Sequence, residues 1–535
     1  MRYPVLWLML AALIVYIPSF FYGLSELDDF ILILHSDKYN EHIFSIFSAF
    51  HRGVFEIANG HYYRPIFIDS MILNYQLCGK HIAGYHIVNV VFHMIAVALL
   101  YKLYLRLDIK PLYAFILCLL FAVHPVLSQA VAWIPGRNDS LLGIFIISFF
   151  IYTIRYTQKG KLKDLLLACL FLLLTCFTKE SGIFAPPAAF LILVCLLREK
   201  WLDNRNITQY ILWIACLLLW LLMRASAHQK GIQGPVIVVI KEFIYRSPVI
   251  LQYLGKILFP FNLSVYPALK QTTNIYGIIA LMLLCLMLYL NKEKSWRIVL
   301  SGIGIFLLFL IPVLLLPYAM SLQTYEHRLY VPLIGFLMIL PQTSLFDNRL
   351  KDHQLLSCYI GVACILACIN FYHQRNFANP DAFWTQAAKS SPNTTHAFIV
   401  LAKAEPDPAR SYQLFQKAYA LNPREKFLNY CRGVKLQAED SVLASEQYLL
   451  AEKKISGYYE CDFYLARVAV KKNDMAAAVN YLQSYLTKDP DNLDHARNRL
   501  LDNPVWQNAA TAGNYAAHLP HPAIALGVLK QLGIQ

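Results

Sequence analysis

Charge is what this chain of 535 residues has least of: Asp, Glu, Lys and Arg supply 15% of it, against 58% hydrophobic residues. Soluble domains of this total length need far more charged surface, so the scarcity excludes them as the bulk of the protein and points to a bilayer as solvent. A clustered basic face is also missing. The formal charge is +14, yet Lys and Arg come in short bursts between apolar runs, which is the pattern of membrane topology and excludes nucleic acid as a partner. The twelve cysteines show no CxxC or Cys/His zinc spacing; most, such as Cys118, Cys176 and Cys216, sit inside apolar segments and read as small buried side chains. No small-residue cleavage site follows the first apolar run, from Pro4 to about Tyr22, so it is expected to be a retained membrane helix and not a signal peptide.

What is present is a series of apolar runs near the roughly 20 residues that cross a hydrocarbon core. They lie at 4–22, 84–106, 111–127, 139–157, 163–178, 182–197, 207–223, 274–290, 297–316, 328–345 and 354–372, eleven in all, with 235–262 left over. If 235–262 does not cross, every alternate loop is basic, from Arg2 through Arg106 and Lys110 to Arg349 and Lys351. That regularity predicts a re-entrant or surface-lying element for 235–262, where Lys241 and Glu242 also avoid the bilayer centre. The opposite face then collects Asp28 and Asp29, Arg64, His124, Arg137 with Asn138 and Asp139, Lys179 with Glu180, Arg224 with His228, and Glu326 with His327 and Arg328.

After Tyr372 the sequence turns to mixed charge and high alanine. Trp384, Ala387 and Pro392 recur as Phe415, Ala418 and Pro423, then as Ala444, Tyr448, Ala451 and Ser456, and as Ala478, Leu482, Tyr485 and Pro490. Small residues that let paired helices approach, with a closing Pro, are the pattern of tetratricopeptide-like repeats. The expected organisation is α-helical: a polytopic membrane bundle over 1–372, of about eleven spans, and a helical repeat domain over 373–535.

The loop from about 24 to 83 is too long for a simple connector. Its "HIFSIFSAFHRGVFEIA" reads as an interfacial helix with Phe44, Phe47 and Phe50 on the apolar side. "YHIVNVVFH" places His86, Asn89 and His93 on one helical stripe; His86 and His93 stand about 10 Å apart along the axis, which suits packing and hydrogen bonding better than shared metal ligation. Asp28 and Asp29 read either as a solvated pair at a helix end or as reactive carboxylates. In company with cations on the same face, the pair suits transfer of a group from a membrane-held phosphate donor to a hydroxyl, with one carboxylate taking the hydroxyl proton and the cations meeting the departing phosphate. An Asp pair also binds a divalent cation, so metal dependence stays open.

The ordered run "LDD", "YYRP…NY…G…YHIVNVVFH", "HPV…AVAWIPGRNDSL", "TKESG", "LGKILFPFNLSVYP" and "YEHRLYVPLIGF" resembles the membrane glycosyltransferases of the GT-C class, and within them the transmembrane and tetratricopeptide-repeat protein O-mannosyltransferases and their bacterial relatives. The resemblance implies a GT-C-like bundle and a polyprenyl-phosphate sugar donor. It further implies an inverting transfer, most simply to Ser or Thr of an exported protein, with repeats that contact the acceptor. On this sequence the family's acidic pair falls on Asp28 and Asp29 and its helix-opening Arg on Arg328; Arg64, Arg137 and Lys179 are further candidates for the donor phosphate. His327, Glu326, His86, His124, Asp139 and Glu180 are expected to support them. A lipid or surface-glycan acceptor is a same-class alternative; a transporter of an amphipathic anion and a membrane-anchored repeat scaffold are rivals of other classes. The expected location is a bacterial inner membrane with a periplasmic repeat domain, or an ER membrane with lumenal repeats.

Overall fold

The computed structural model describes residues 2–25, 27–54, 62–197, 201–227, 236–315, 323–346 and 351–488. His228, Arg198, Lys200, Arg349, Pro490 and the 55–58 part of the expected interfacial helix lie outside these residues, as does the end of the repeat region.

The architecture is a polytopic α-helical bundle, and a helix occupies each of the eleven expected stretches. Among the described residues, six helices are long and apolar enough to cross a membrane singly: Pro4–Phe21, Ile82–Arg106, Ile134–Lys159, Asn204–Ser226, Trp296–Leu314 and Asp352–Phe377. Pro111–Val123 and Pro125–Ala132 together pass the same test but bend by 49°, because Pro125 cannot donate to the helix ladder and biases His124 to extended backbone. His124 stabilises the break. Its Nδ1 accepts from the Val126 amide at 3.2 Å and its Nε2 lies 3.0 Å from the Ile257 carbonyl. The leftover stretch is two short helices, Val236–Arg246 and Pro248–Leu258, each too short to span.

Small residues set the helix spacing. A methyl on Gly302 would meet the Gly335 carbonyl oxygen at 2.6 Å, and one on Gly335 would meet the Gly302 carbonyl at the same distance. Trp296–Leu314 and Tyr330–Ile339 are thus in backbone contact, the arrangement small residues permit between membrane helices. Polar links tie distant helices together. Asn370 donates to the Tyr16 hydroxyl at 2.9 Å and Gln374 to the Val15 carbonyl at 2.7 Å, joining Asp352–Gln374 to the first helix. His93 lies 2.8 Å from the Tyr330 hydroxyl and 3.0 Å from the Ala122 carbonyl.

The expected interfacial helix is a shorter feature. Ser45–Ser48 makes one α-turn and Ala49–His51 a 3₁₀ turn. Phe44 and Phe47 are exposed, while Phe50 packs edge-on against Phe177 at 5.3 Å.

The chain divides into two compact units, Met1–Pro392 and Asn393–Gln535. The helix Pro380–Ser390, which the repeat pattern assigns to the tail, belongs to the first. In the second unit, helices from Thr395–Ala404 to Met475–Lys488 pack in successive pairs; of the repeat positions, Phe415, Ala418, Ala478, Leu482 and Tyr485 are buried, whereas Ala444 is exposed and Tyr448, Ala451 and Ser456 are half-buried.

Candidate active site

A cavity of about 650 Å³ opens within the first unit, and its wall gathers residues from widely separated parts of the chain: Asp28, Arg64, Asp139, Lys179, His327 and Arg328 among them. Local backbone brings Asp28 there. Leu27 has φ 60°, a left-handed conformation that costs a branched residue of order 1 kcal/mol and is tolerated where surroundings over-determine it. A π-helical segment, Phe30–His35, follows the pair, a form that often marks functional sites.

The two carboxylates have different fates. Asp28 lines the cavity, and desolvation raises its pKa although the Arg64 charge opposes the rise. Asp29 is buried and turned inward: its Oδ2 accepts from the Ser25 amide at 2.9 Å and the Ser25 hydroxyl at 2.7 Å. Burial pushes Asp29 up to about 7 despite these bonds.

The cavity cations are nearly matched by anions. Lys179 Nζ lies 2.6 and 2.8 Å from the two oxygens of Asp139. Arg64 donates to Glu180 through Nε at 2.9 Å, and the Tyr63 amide donates to the same carboxylate at 2.8 Å. With the Asn138 amide turned to satisfy its neighbours, its oxygen also accepts from Arg64 at 2.6 Å. Arg328 differs. It donates to the Gln323 carbonyl at 3.0 Å and stands over the Tyr325 ring at 5.5 Å, and it pairs with no carboxylate among the described residues. His327 lies between Trp133 and Tyr325, with ring centroids 5.7 and 5.4 Å away. Desolvation, and then Lys179, Arg328 and Arg64, hold its pKa well below the usual histidine value, so the imidazole is neutral.

Five sequence candidates are placed away from the cavity wall: Asp29, as above, and Arg137, His86, His124 and Glu326. Arg137 is fully buried, donating to Asn89 at 2.8 Å, to Asn74 at 2.6 Å, and to the Tyr85 and Ser70 carbonyls at 3.0 and 3.2 Å. Its fork ties Pro65–Cys78 to Ile82–Arg106 and is committed to structure. His86 sits 3.3 Å from the Gly23 carbonyl, below the Asp loop. His124 serves the helix break. Glu326 points out of the cavity to Lys256 at 2.7 Å and accepts from the Ser264 amide at 2.8 Å; Lys256 and His373 outweigh the desolvation that would raise its pKa.

Sequence reasoning passed over Trp133, Tyr266, Gln323 and Tyr325 in the wall, and Gln129 and Lys256 behind it. Gln129 Oε1 accepts from the Glu326 and His327 amides at 2.9 and 3.2 Å, fixing the turn that carries His327 and Arg328. Trp133, Lys256 and Tyr266 all lie inside the quoted motif run, so the signal was present without being resolved to residues. Among the described residues no group of three His, Cys, Asp or Glu side chains comes together to hold a metal.

The geometry defines a helical membrane bundle with a polar cavity lined by carboxylates and cations. Residues 65–225 match the family model described as dolichyl-phosphate-mannose-protein mannosyltransferase. The chain is 33% identical over 159 residues to Protein O-mannosyl-transferase F38B6.6 of Caenorhabditis elegans, covering 29% of this chain and 21% of that protein. It is 34% identical over 143 residues to Protein O-mannosyl-transferase TMTC1 of Mus musculus, covering 25% and 15%, and 32% identical over 114 residues to Protein O-mannosyl-transferase TMTC4 of Homo sapiens, covering 18% and 15%. The chain therefore matches about a fifth or less of the length of these relatives, and the resemblance to protein O-mannosyltransferases read from the motifs is shared by the comparisons.

Proposed function

We propose that this chain is a membrane glycosyltransferase that moves a sugar, most simply mannose, from a polyprenyl-phosphate donor to a Ser or Thr hydroxyl of an exported protein on the outer face of the membrane. The observation that carries the reading is one cavity holding the Asp28 carboxylate beside Arg64, Lys179 and Arg328. Relatives named as protein O-mannosyltransferases supply the sugar and the acceptor class.

In this reading the Asp28 carboxylate accepts the acceptor hydroxyl proton as its oxygen attacks the anomeric carbon, and the bond from that carbon to the phosphate oxygen breaks. The leaving polyprenyl phosphate gains negative charge, which Arg328 meets directly and the paired Arg64 and Lys179 meet through their field. One displacement inverts the anomeric centre and needs no covalent enzyme intermediate. A carboxylate with a raised pKa is a stronger base than an exposed one, which suits this role. Asp29 holds the loop that presents Asp28. The helix pairs of the second unit suit a tetratricopeptide-like surface for the protein acceptor.

The test is transfer by the purified full chain in detergent, from radiolabelled polyprenyl-phosphate mannose to Ser/Thr-rich peptides. Asp28→Asn is expected to lower kcat by about 100-fold or more, the scale of general-base catalysis, and Asp29→Asn by less. Equal rates in all three proteins would remove Asp28 from the chemistry. Wild-type transfer only to glycan or lipid acceptors would overturn the acceptor assignment.

A further inference from the structure

Among the described residues Arg328 pairs with no carboxylate, so other groups must fix its direction. Its NH1 donates to the Gln323 carbonyl at 3.0 Å. The Gln323 side chain in turn donates to the Tyr266 hydroxyl at 2.9 Å. The two strips run side by side: Ala268 and Gln323 form an isolated antiparallel bridge, and the Thr324 amide donates to the Pro267 carbonyl at 2.8 Å.

The Tyr266 ring is itself clamped. Tyr325, the residue under the Arg328 guanidinium, meets it edge-on at 5.8 Å. Trp384 packs on it at 5.5 Å. Serine hydroxyls complete the clamp: Ser391 Oγ donates to the Tyr266 carbonyl at 2.9 Å, and the Ser264 and Ser390 hydroxyls lie 2.6 Å apart. Trp384 is among the largest fully buried side chains, so this buttress has little freedom to move.

We propose that Tyr266 is a positioning residue for Arg328, acting through Gln323 and braced from behind by Trp384 on the Pro380–Ser390 helix. The proposal deepens the functional reading and rests on it, since Arg328 is there the direct partner of the donor phosphate. Its physical content is pre-organisation: a flexible Arg side chain held at both its guanidinium and its supporting strip loses less freedom when an anion arrives. Gln323 matters twice, with its carbonyl holding Arg328 and its amide anchored to Tyr266. The helix that leads out of the membrane bundle is, in this arrangement, part of the donor site's frame.

The experiment is a double-mutant cycle on the purified full chain, with farnesyl phosphate as the probe and its Kd as the readout. Tyr266→Phe removes one hydroxyl and keeps the ring. It is expected to weaken binding about fivefold, the scale of one net hydrogen bond, while leaving the KM for the peptide acceptor unchanged. In an Arg328→Gln background the same substitution should have no further effect. Gln323→Met, which breaks the same bond from the other end, should match Tyr266→Phe, and combining the two should be no worse than either. An undiminished fivefold loss in the Arg328→Gln background, or no loss in the wild-type background, overturns the proposal while leaving the functional reading standing. If wild-type protein binds no farnesyl phosphate, the donor-site reading falls and this inference falls with it.

Discussion

Lys179 and Asp139 are bound to each other by two contacts, 2.6 and 2.8 Å, inside the cavity wall. Burial and the neighbouring Arg64 press the ammonium to give up its proton, and the Asp139 charge opposes them. Asp139→Asn is expected to cost about 3–5 kcal/mol, because it strands a cation among cations. Asp139→Asn with Lys179→Met should recover part of that loss. Thermal unfolding of the singles and the double in detergent checks both; a double variant less stable than either single would refute the pairing argument.

A pH dependence follows from Asp29. Its carboxyl is raised to about 7 in the fold by burial, against about 3.9 in the unfolded chain. Between these values the native state holds a proton that the unfolded state has lost, so this group's contribution is fully present below about pH 4 and is lost as pH rises through 7. Asp29→Asn should flatten that slope. Unfolding midpoints of wild type and variant between pH 4 and pH 8 give the comparison; parallel curves would remove Asp29 as the source.

Arg137→Lys tests structure against chemistry. Charge is kept but the planar fork is lost, leaving Asn74, Asn89 and two carbonyls short of donors. A loss of about 3 kcal/mol or more is expected, seen as a lower Tm and poor monodispersity. The Kd for farnesyl phosphate in the surviving folded fraction should be unchanged. A selective loss of binding with normal Tm would put Arg137 back among the phosphate ligands.

Gly302→Ala should push Trp296–Leu314 away from Tyr330–Ile339, since the new methyl would meet backbone at 2.6 Å. Overpacking of this kind costs about 1–3 kcal/mol. Alanine is otherwise the better helix former, so a stabilised variant would show that the two backbones do not touch.

The bundle was legible because membrane spans are written as long apolar runs, and every expected run carries a helix. The Phe44, Phe47 and Phe50 segment was not, for a physical reason. A spacing of three suits a 3₁₀ turn as well as an α-helix, and here short turns take it. At the site, the motif run located Asp28, Arg64, Asp139, Lys179, Glu180, His327 and Arg328, all of which reach the cavity wall. It could not say which way each side chain points. Glu326 and Arg328 are two residues apart and face different partners, and Glu326 answers to Lys256, 70 residues away in sequence. Arg137 sits beside Asn138 in the same motif, yet only Asn138 reaches the cavity.

The link from Asn370 to the Tyr16 hydroxyl also bears on how the protein is made. A ribosome delivers the first helix long before Asp352–Gln374, so the acceptor on Tyr16 must wait through the synthesis of almost the whole bundle for its donor. The Lys179–Asp139 pair can form early, within neighbouring helices, whereas Arg328 arrives some 150 residues later. A chain halted midway would hold one wall of the cavity and none of the other. Assembly of the site is thus a closing event of biogenesis, with the bundle latched at its two ends only after the last of these helices has entered.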